Sequence, residues 1–157
     1  MDQPAVRSVS ADASIERVAA ELEIRNVLAR LAQLADTGDT DEYVSLLTDD
    51  VVWAMPPNPA IDLAASERRG RDEIAAGQRE RMAAGHQGPG SNTMHMVNTI
   101  SVRFDDDSNE SATAHSYFMF WSSTASDPTI TSIGRYEDRF GRTASGWKLA
   151  RRTITFG

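Results

Sequence analysis

Three side chains are candidates for proton chemistry: Asp36, His95 and His115. Asp36 closes a long helical pattern on a stripe that runs through Ala29 and Ala32, and those small neighbours leave space beside the carboxylate. His95 stands early in the stranded run Thr93-Met94-His95-Met96-Val97-Asn98-Thr99, and His115 lies in the next such run. A carboxylate that accepts a hydrogen bond from one imidazole nitrogen fixes the tautomer and stabilises the imidazolium. The other nitrogen is then a base near neutral pH. With no cysteine and no evident serine nucleophile motif, such a dyad suits proton abstraction or elimination better than acyl transfer. An arginine of the last two stranded runs, Arg135, Arg139, Arg151 or Arg152, would hold an anionic or polarised substrate oxygen. Each residue also has a plainer reading. Asp36 can cap the turn at Gly38, either histidine can be a satisfied core side chain, and strand arginines commonly face solvent. A metal bound by Asp36, His95 and His115 would be a two-histidine, one-carboxylate site. No spacing singles that out, because His95 has no ligand at i+2 and His86 falls in a glycine-rich loop.

The elements that must position these groups are readable in outline. From Ile15 to Asp36 the pattern is helical, with Asp12 or Ser14 placed to cap it. Ile24, Val27, Leu28, Leu31, Leu34 and Ala35 form one apolar stripe, and Ile15, Val18, Leu22, Arg25, Ala29, Ala32 and Asp36 a second. The second half of the helix is expected to be covered on both sides. Thr37-Gly38 reads as a stop, and Asp39 or Thr40 as the cap of a short helix through Tyr43, Val44, Leu46 and Leu47. Val51 to Met55 reads as a strand closed by Pro56-Pro57-Asn58-Pro59, followed by loop to Gly70. Asp72 is placed to cap a polar helix from Glu73 to Ala84, and Gly85 to Asn92 is loop. Four runs rich in β-branched and aromatic residues follow: Thr93 to Phe104, Ser111 to Ser122, Ile130 to Phe140 and Trp147 to Phe156. Short turns between them predict an antiparallel meander, and helices followed by a sheet predict the α+β class. A sheet curved around the first helix would form a cone with an interior pocket. Alternation groups His95 with Val97 and Thr99, opposite Met94, Met96 and Asn98, and groups His115 with Thr113, Tyr117, Met119 and Trp121.

Composition narrows the chemistry. The 157 residues hold no cysteine, which removes disulfides, thiolate nucleophiles, iron–sulfur ligation and the common structural zinc sites. Sixteen Lys+Arg against 23 Asp+Glu give a formal charge of −7, and the pI is near 4.9. That field repels nucleic acid and anionic membranes, so neither is an expected partner. Hydrophobic residues make up 40% of the chain, enough for one globular core. No window approaches the roughly 20 apolar residues of a membrane span, and the start has no secretory pattern, so a soluble cytoplasmic protein is expected. Residues 1–14 read as a flexible segment and 15–157 as a single domain.

The order of elements resembles the SnoaL-like branch of the nuclear transport factor 2-like superfamily. So do the Ala35-Asp36-Thr37-Gly38-Asp39 helix ending, the Leu47-Thr48-Asp49-Asp50-Val51 strand entry and the Gly146-Trp147-Lys148-Leu149 strand. The resemblance spans roughly residues 15 to 156. It implies a cone-shaped α+β barrel, with about three helices packed on a curved, mainly antiparallel sheet. That scaffold hosts enzymes and non-enzymes alike.

Within the superfamily the chain is most similar to scytalone dehydratase and related bacterial dehydratases and dehydrochlorinases. These place an aspartate at the end of the first helix and a histidine at the start of the first long strand, where Asp36 and His95 fall. Scytalone dehydratase has a further histidine where His115 falls. The resemblance implies elimination with no cofactor or metal, His95 as general acid/base, Asp36 as its orienting partner and His115 as a second donor. Members often carry tyrosine or lysine where this chain has Leu31, so leaving-group activation would fall to Tyr43, Tyr117 or Asn98. Arg135 is the candidate assisting arginine, and Trp53, Met55, Phe118, Phe120 and Trp121 are candidate pocket walls. The expected function is a lyase or isomerase acting on a small hydrophobic, cyclic metabolite. The alternative is a non-catalytic ligand-binding or assembly subunit, like the small β subunit of ring-hydroxylating dioxygenases, which the chain also resembles in size and layout. Association into a homodimer or homotrimer is implied by either.

Overall fold

A computed structural model describes residues 11–57, 64–105 and 108–157. Of the segment Met1 to Ser14 expected to fray, residues 1–10 lie outside the described residues, as do Asn58-Pro59 of the proline turn and Asp106-Asp107 of the turn after the first long strand; residues 11–14 instead open the first helix, so Asp12 and Ser14 lie within it rather than capping it. Among the described residues the elements are helices α1 (Ala11–Thr37), α2 (Thr40–Ser45) and α3 (Gly70–Ala83), and strands β1 (Leu47–Met55), β2 (Ser66–Arg69), β3 (Met94–Phe104), β4 (Ser111–Ser122), β5 (Thr129–Thr143) and β6 (Gly146–Phe156). The fold is α+β: the helices pack on a curved, mixed sheet of order β2-β1-β6-β5-β4-β3. Every neighbouring pair is antiparallel except β1 with β6.

The first apolar stripe of α1 is what the sheet wraps. Ile24, Leu28, Leu31 and Leu34 are buried against Leu47 and Val51 of β1, Ala112 and Ala114 of β4, Phe140 of β5 and Leu149 of β6. Each large aliphatic so removed from water contributes about 1.5–3 kcal/mol before entropy is counted. The second stripe is not covered as expected. In the second half of the helix Ala29 is exposed while Arg25, Ala32 and Asp36 are partly buried, and ahead of it Ile15, Val18 and Leu22 are exposed.

Gly38 ends α1 in the left-handed region, φ +86°, with its N–H donating to the Leu34 carbonyl at 3.0 Å as a C′ glycine does. Asp39 caps α2, its carboxylate accepting from the Glu42 N–H at 2.9 Å. The start of α3 differs from expectation. It begins at Gly70 behind Arg69, with no side-chain cap on that residue. Asp72 lies inside the first turn, and Glu73 instead reaches back to accept from the Arg69 N–H at 2.7 Å. The stretch read as loop before Gly70 contains β2, whose Ser66-Glu67-Arg68-Arg69 pairs with Met55 to Val52 at the sheet edge. A short, charged edge strand carries no alternating apolar signal.

One irregularity decides which residues face inward. The β3–β4 register shifts between Asn98 and Ser101, and Thr99 sits at φ +51°, as a β-bulge does. Before the bulge, His95 and Val97 face the interior. After it, Ile100, Val102 and Phe104 do, so Thr99 leaves the His95 face to which simple alternation assigned it and is exposed.

Candidate active site

Between α1, α2, the end of α3 and the inner faces of all the long strands lies a cavity of about 260 Å³. His95 lines its wall, and Asp36 stands beside His95. The last turn of α1 carries Asp36, and the start of β3 brings His95 alongside it. The Nδ1–H of His95 donates to Asp36 Oδ1 at 2.7 Å, and the backbone N–H of His95 donates to Oδ2 at 2.9 Å. Both carboxylate oxygens are thus spent on one residue, fixing ring and backbone together. Each side chain is about one-fifth exposed. The imidazole packs on Phe120, ring centroids 4.6 Å apart. Among the described residues Nε2 has no protein partner, so the nitrogen left unprotonated when Nδ1 donates is the one available to a ligand.

A second polar group lies deeper. Arg152 of β6 donates from Nε and Nη2 to the two oxygens of Asp138 on β5, at 2.8 and 2.7 Å, and both residues are buried. The guanidinium lies 3.8 Å from the Tyr136 ring centroid and 4.8 Å from that of Trp53. Burial opposes both charges, pushing the Asp138 carboxyl up and drawing Arg152 down. Asp138 and its hydrogen bonds nevertheless hold Arg152 above its usual range. Burial also pushes up the hydroxyls of Tyr43 and Tyr136, the latter to about 12, so both remain protonated donors at neutral pH. Phe118 stacks on Tyr136 at 4.6 Å. Gly134 permits this approach: a Cβ there would sit 2.6 Å from the Phe118 ring and 2.2 Å from the Thr155 carbonyl.

Several expected site residues lie elsewhere. His115 is on the outer face of the sheet, its side chain 56% exposed and 3.9 Å from Glu137. Tyr117 is exposed beside it, and Arg135 of β5 faces the same solvent. Asn98 sits by the bulge, where it accepts from the Thr99 hydroxyl, and does not line the cavity. The reason is strand parity. Val97 pairs with Phe118 and His95 with Phe120, so the even-numbered residues of β4 point inward and His115 and Tyr117 outward. The three candidate metal ligands are therefore on opposite faces, and among the described residues no cluster of three or more potential ligands is assembled. Trp53, Met55, Phe118 and Phe120 do line the cavity, whereas Trp121 does not. Arg81, His86, Gln87, Ser132 and Tyr136 also line the cavity, though none was expected there. For Tyr136 a signal existed, since it lies one residue from Arg135 and so must face the opposite way.

The fold, with an imidazole on the cavity wall and a carboxylate behind it, is that of a small α+β pocket protein. A family model described as a SnoaL-like domain matches residues 16–153, and the chain belongs to that family. Solved structures of the same fold include an NTF2-like protein with a cystatin-like fold from Novosphingobium aromaticivorans (TM-score 0.74, 23% identity, 92% of this chain and 86% of that one). A protein from the same organism provisionally named a scytalone dehydratase gives 0.70 at 19% identity over 94% and 89%. The β subunit of a provisionally named aromatic-ring-hydroxylating dioxygenase, also from that organism, gives 0.69 at 17% over 90% and 91%. At these identities the likeness is one of fold. No curated protein matches the chain. Among the described residues no helix is long and apolar enough to cross a membrane.

Proposed function

We propose that the chain is a cofactor-independent lyase or isomerase in which His95 is the general base and Asp36 its orienting partner. The observation that carries this reading is the 2.7 Å contact between His95 Nδ1 and Asp36 Oδ1 at the wall of an open cavity. Nε2 takes a proton from an acidic carbon of the substrate, and the C–H electron pair forms the new double bond. Asp36 stabilises the resulting imidazolium. In a dehydration the imidazolium returns that proton to the departing hydroxyl, which leaves as water. In an isomerisation it returns the proton to a second carbon. Tyr43 and Tyr136, kept protonated by burial, are the hydroxyl donors suited to an oxygen that gains negative charge. Leu31 supplies no such group, and Tyr117 and Asn98 lie off the cavity.

The walls of Trp53, Met55, Val97, Phe118 and Ile154 suit a hydrophobic substrate. The volume is near the lower end of the roughly 300–1,000 Å³ of small-ligand pockets, which favours a compact cyclic metabolite. The exposed Met94, Met96, Tyr117, Ile130 and Ile133 outside the sheet support association as a homodimer or homotrimer, since apolar patches of this kind mark interfaces. A purely assembly-type subunit would have no use for a dyad with a free Nε2 on an open cavity.

The test is turnover of a panel of hydroxylated cyclic ketones, with products followed by mass spectrometry. His95→Gln and Asp36→Asn are expected to lower kcat by about 10²–10⁴-fold at unchanged fold. Full activity in both variants on a substrate the wild type converts overturns the assignment.

A further inference from the structure

The cavity's charges do not balance at one end. Arg152 is neutralised by Asp138, and Asp36 is committed to His95. Arg81, in the last turn of α3, also lines the cavity, and among the described residues no carboxylate pairs with it. Its neighbour Glu80 is taken by Arg68 at 2.7 Å. Among the described residues the one side chain that holds Arg81 is Gln87, whose Oε1 accepts from Nε at 2.9 Å. That bond fixes the orientation of the amide, because an N–H donor requires the oxygen end. Gln87 Nε2 is consequently left as a donor. The residue is 5% exposed and lines the cavity, yet Nε2 has no acceptor. A buried donor without a partner is unfavourable until something supplies an oxygen.

From these observations we propose that Arg81 and Gln87 form a carboxylate-binding end of the cavity, so that the substrate carries a carboxylate on its ring or a short side chain. With Nε occupied by Gln87, the two Nη groups of Arg81 remain, and their fork matches the two oxygens of a carboxylate. Gln87, by holding Nε, sets the direction of that fork. Tyr43 and Tyr136 are close enough to Arg81 to interact with it electrostatically, so the anion would sit beside protonated hydroxyls. The role expected of a β-strand arginine therefore falls to a helix arginine, since the inward-facing Arg152 already has its anion. This inference shares the cavity of the proposed function and adds the substrate class to it.

The experiment is equilibrium binding of benzoate and benzamide, which share size and shape and differ in charge, measured by calorimetry at neutral pH on the full chain. Wild type is expected to prefer benzoate by about tenfold or more, as a charge-assisted pair supplies. Arg81→Met is expected to erase the preference. Gln87→Glu, nearly isosteric, sets a carboxylate against Arg81 and is expected to erase it too, so the test does not depend on one variant folding. A wild type without the preference, whether both ligands bind equally or neither binds, overturns the proposal, as does an undiminished preference in Gln87→Glu. The readout needs no turnover. Catalysis without a carboxylate preference would overturn this inference alone, and a preference without His95-dependent turnover would overturn the proposed function alone.

Discussion

Replacing Asp138 with asparagine is expected to be among the most damaging single changes available near the cavity. The side chain is fully buried and takes two charged hydrogen bonds, at 2.8 and 2.7 Å, from a guanidinium that is itself 5% exposed. The amide would keep the shape and one acceptor but remove the charge. Arg152 would remain in the interior with only the faces of Tyr136 and Trp53 to compensate it. Such ring contacts are worth up to about 2 kcal/mol, whereas breaking a buried pair from one side costs about 3–5 kcal/mol. Urea titration followed by tryptophan fluorescence would read this as a lower midpoint at unchanged slope. For a domain of this size the melting temperature should fall by roughly 6–20 °C. The double variant Asp138→Leu/Arg152→Met removes both charges and should recover most of the loss, because the cost lies in the orphaned cation rather than in the missing bond. An Asp138→Asn protein within about 0.5 kcal/mol of wild type, the level of a neutral surface change, would refute the reasoning.

Tyr136, held at about 12 against about 10 in an unfolded chain, keeps its proton longer when folded. Its contribution of about 2–3 kcal/mol is present below pH 10 and lost as pH rises through 12. Tyr136→Phe should flatten that part of the alkaline stability curve, and an unchanged slope would contradict the burial argument. Gly134→Ala drives a Cβ into the Thr155 carbonyl and the Phe118 ring and should cost about 1–3 kcal/mol or more, read from the urea midpoint. Met96→Glu, on the exposed outer face, is expected to shift sedimentation towards the monomer, and a wild type already monomeric at high concentration would exclude that interface.

What was legible in the sequence followed from local signals. The buried stripe of α1 has a helical period, Gly38 and Asp39 carry stop and cap chemistry, and the four long strands announce themselves by composition. Asp36 and His95 were legible because each sits at an element boundary, where position along the chain nearly fixes position in space. What failed depended on parity and pairing. His115, Tyr117 and Arg135 were placed in the site by position along the strand in the resembled family, which does not say which face of β4 and β5 turns inward here. The even-numbered residues of β4, with Ala112, Ala114, Phe118 and Phe120, are the more apolar set, and that was the available clue. Asp138 and Arg152 lie 14 positions apart on paired strands, which no local pattern reveals. The bulge at Thr99 reverses parity through one residue of ordinary composition. Arg81 lies in a polar helix turn, and only the fold of the Gly85 to Asn92 loop, which brings Gln87 beside it, gives it a use.

The arrangement at the centre of the account can be tested without any substrate, by nitrogen-15 NMR of the histidine side chains. His95 should carry its neutral-state proton on Nδ1, with a hydrogen-bonded shift that collapses in Asp36→Asn. A neutral His95 protonated on Nε2, or an Nδ1 signal indifferent to Asp36→Asn, would contradict the base and orienting-partner roles on which the proposed function rests.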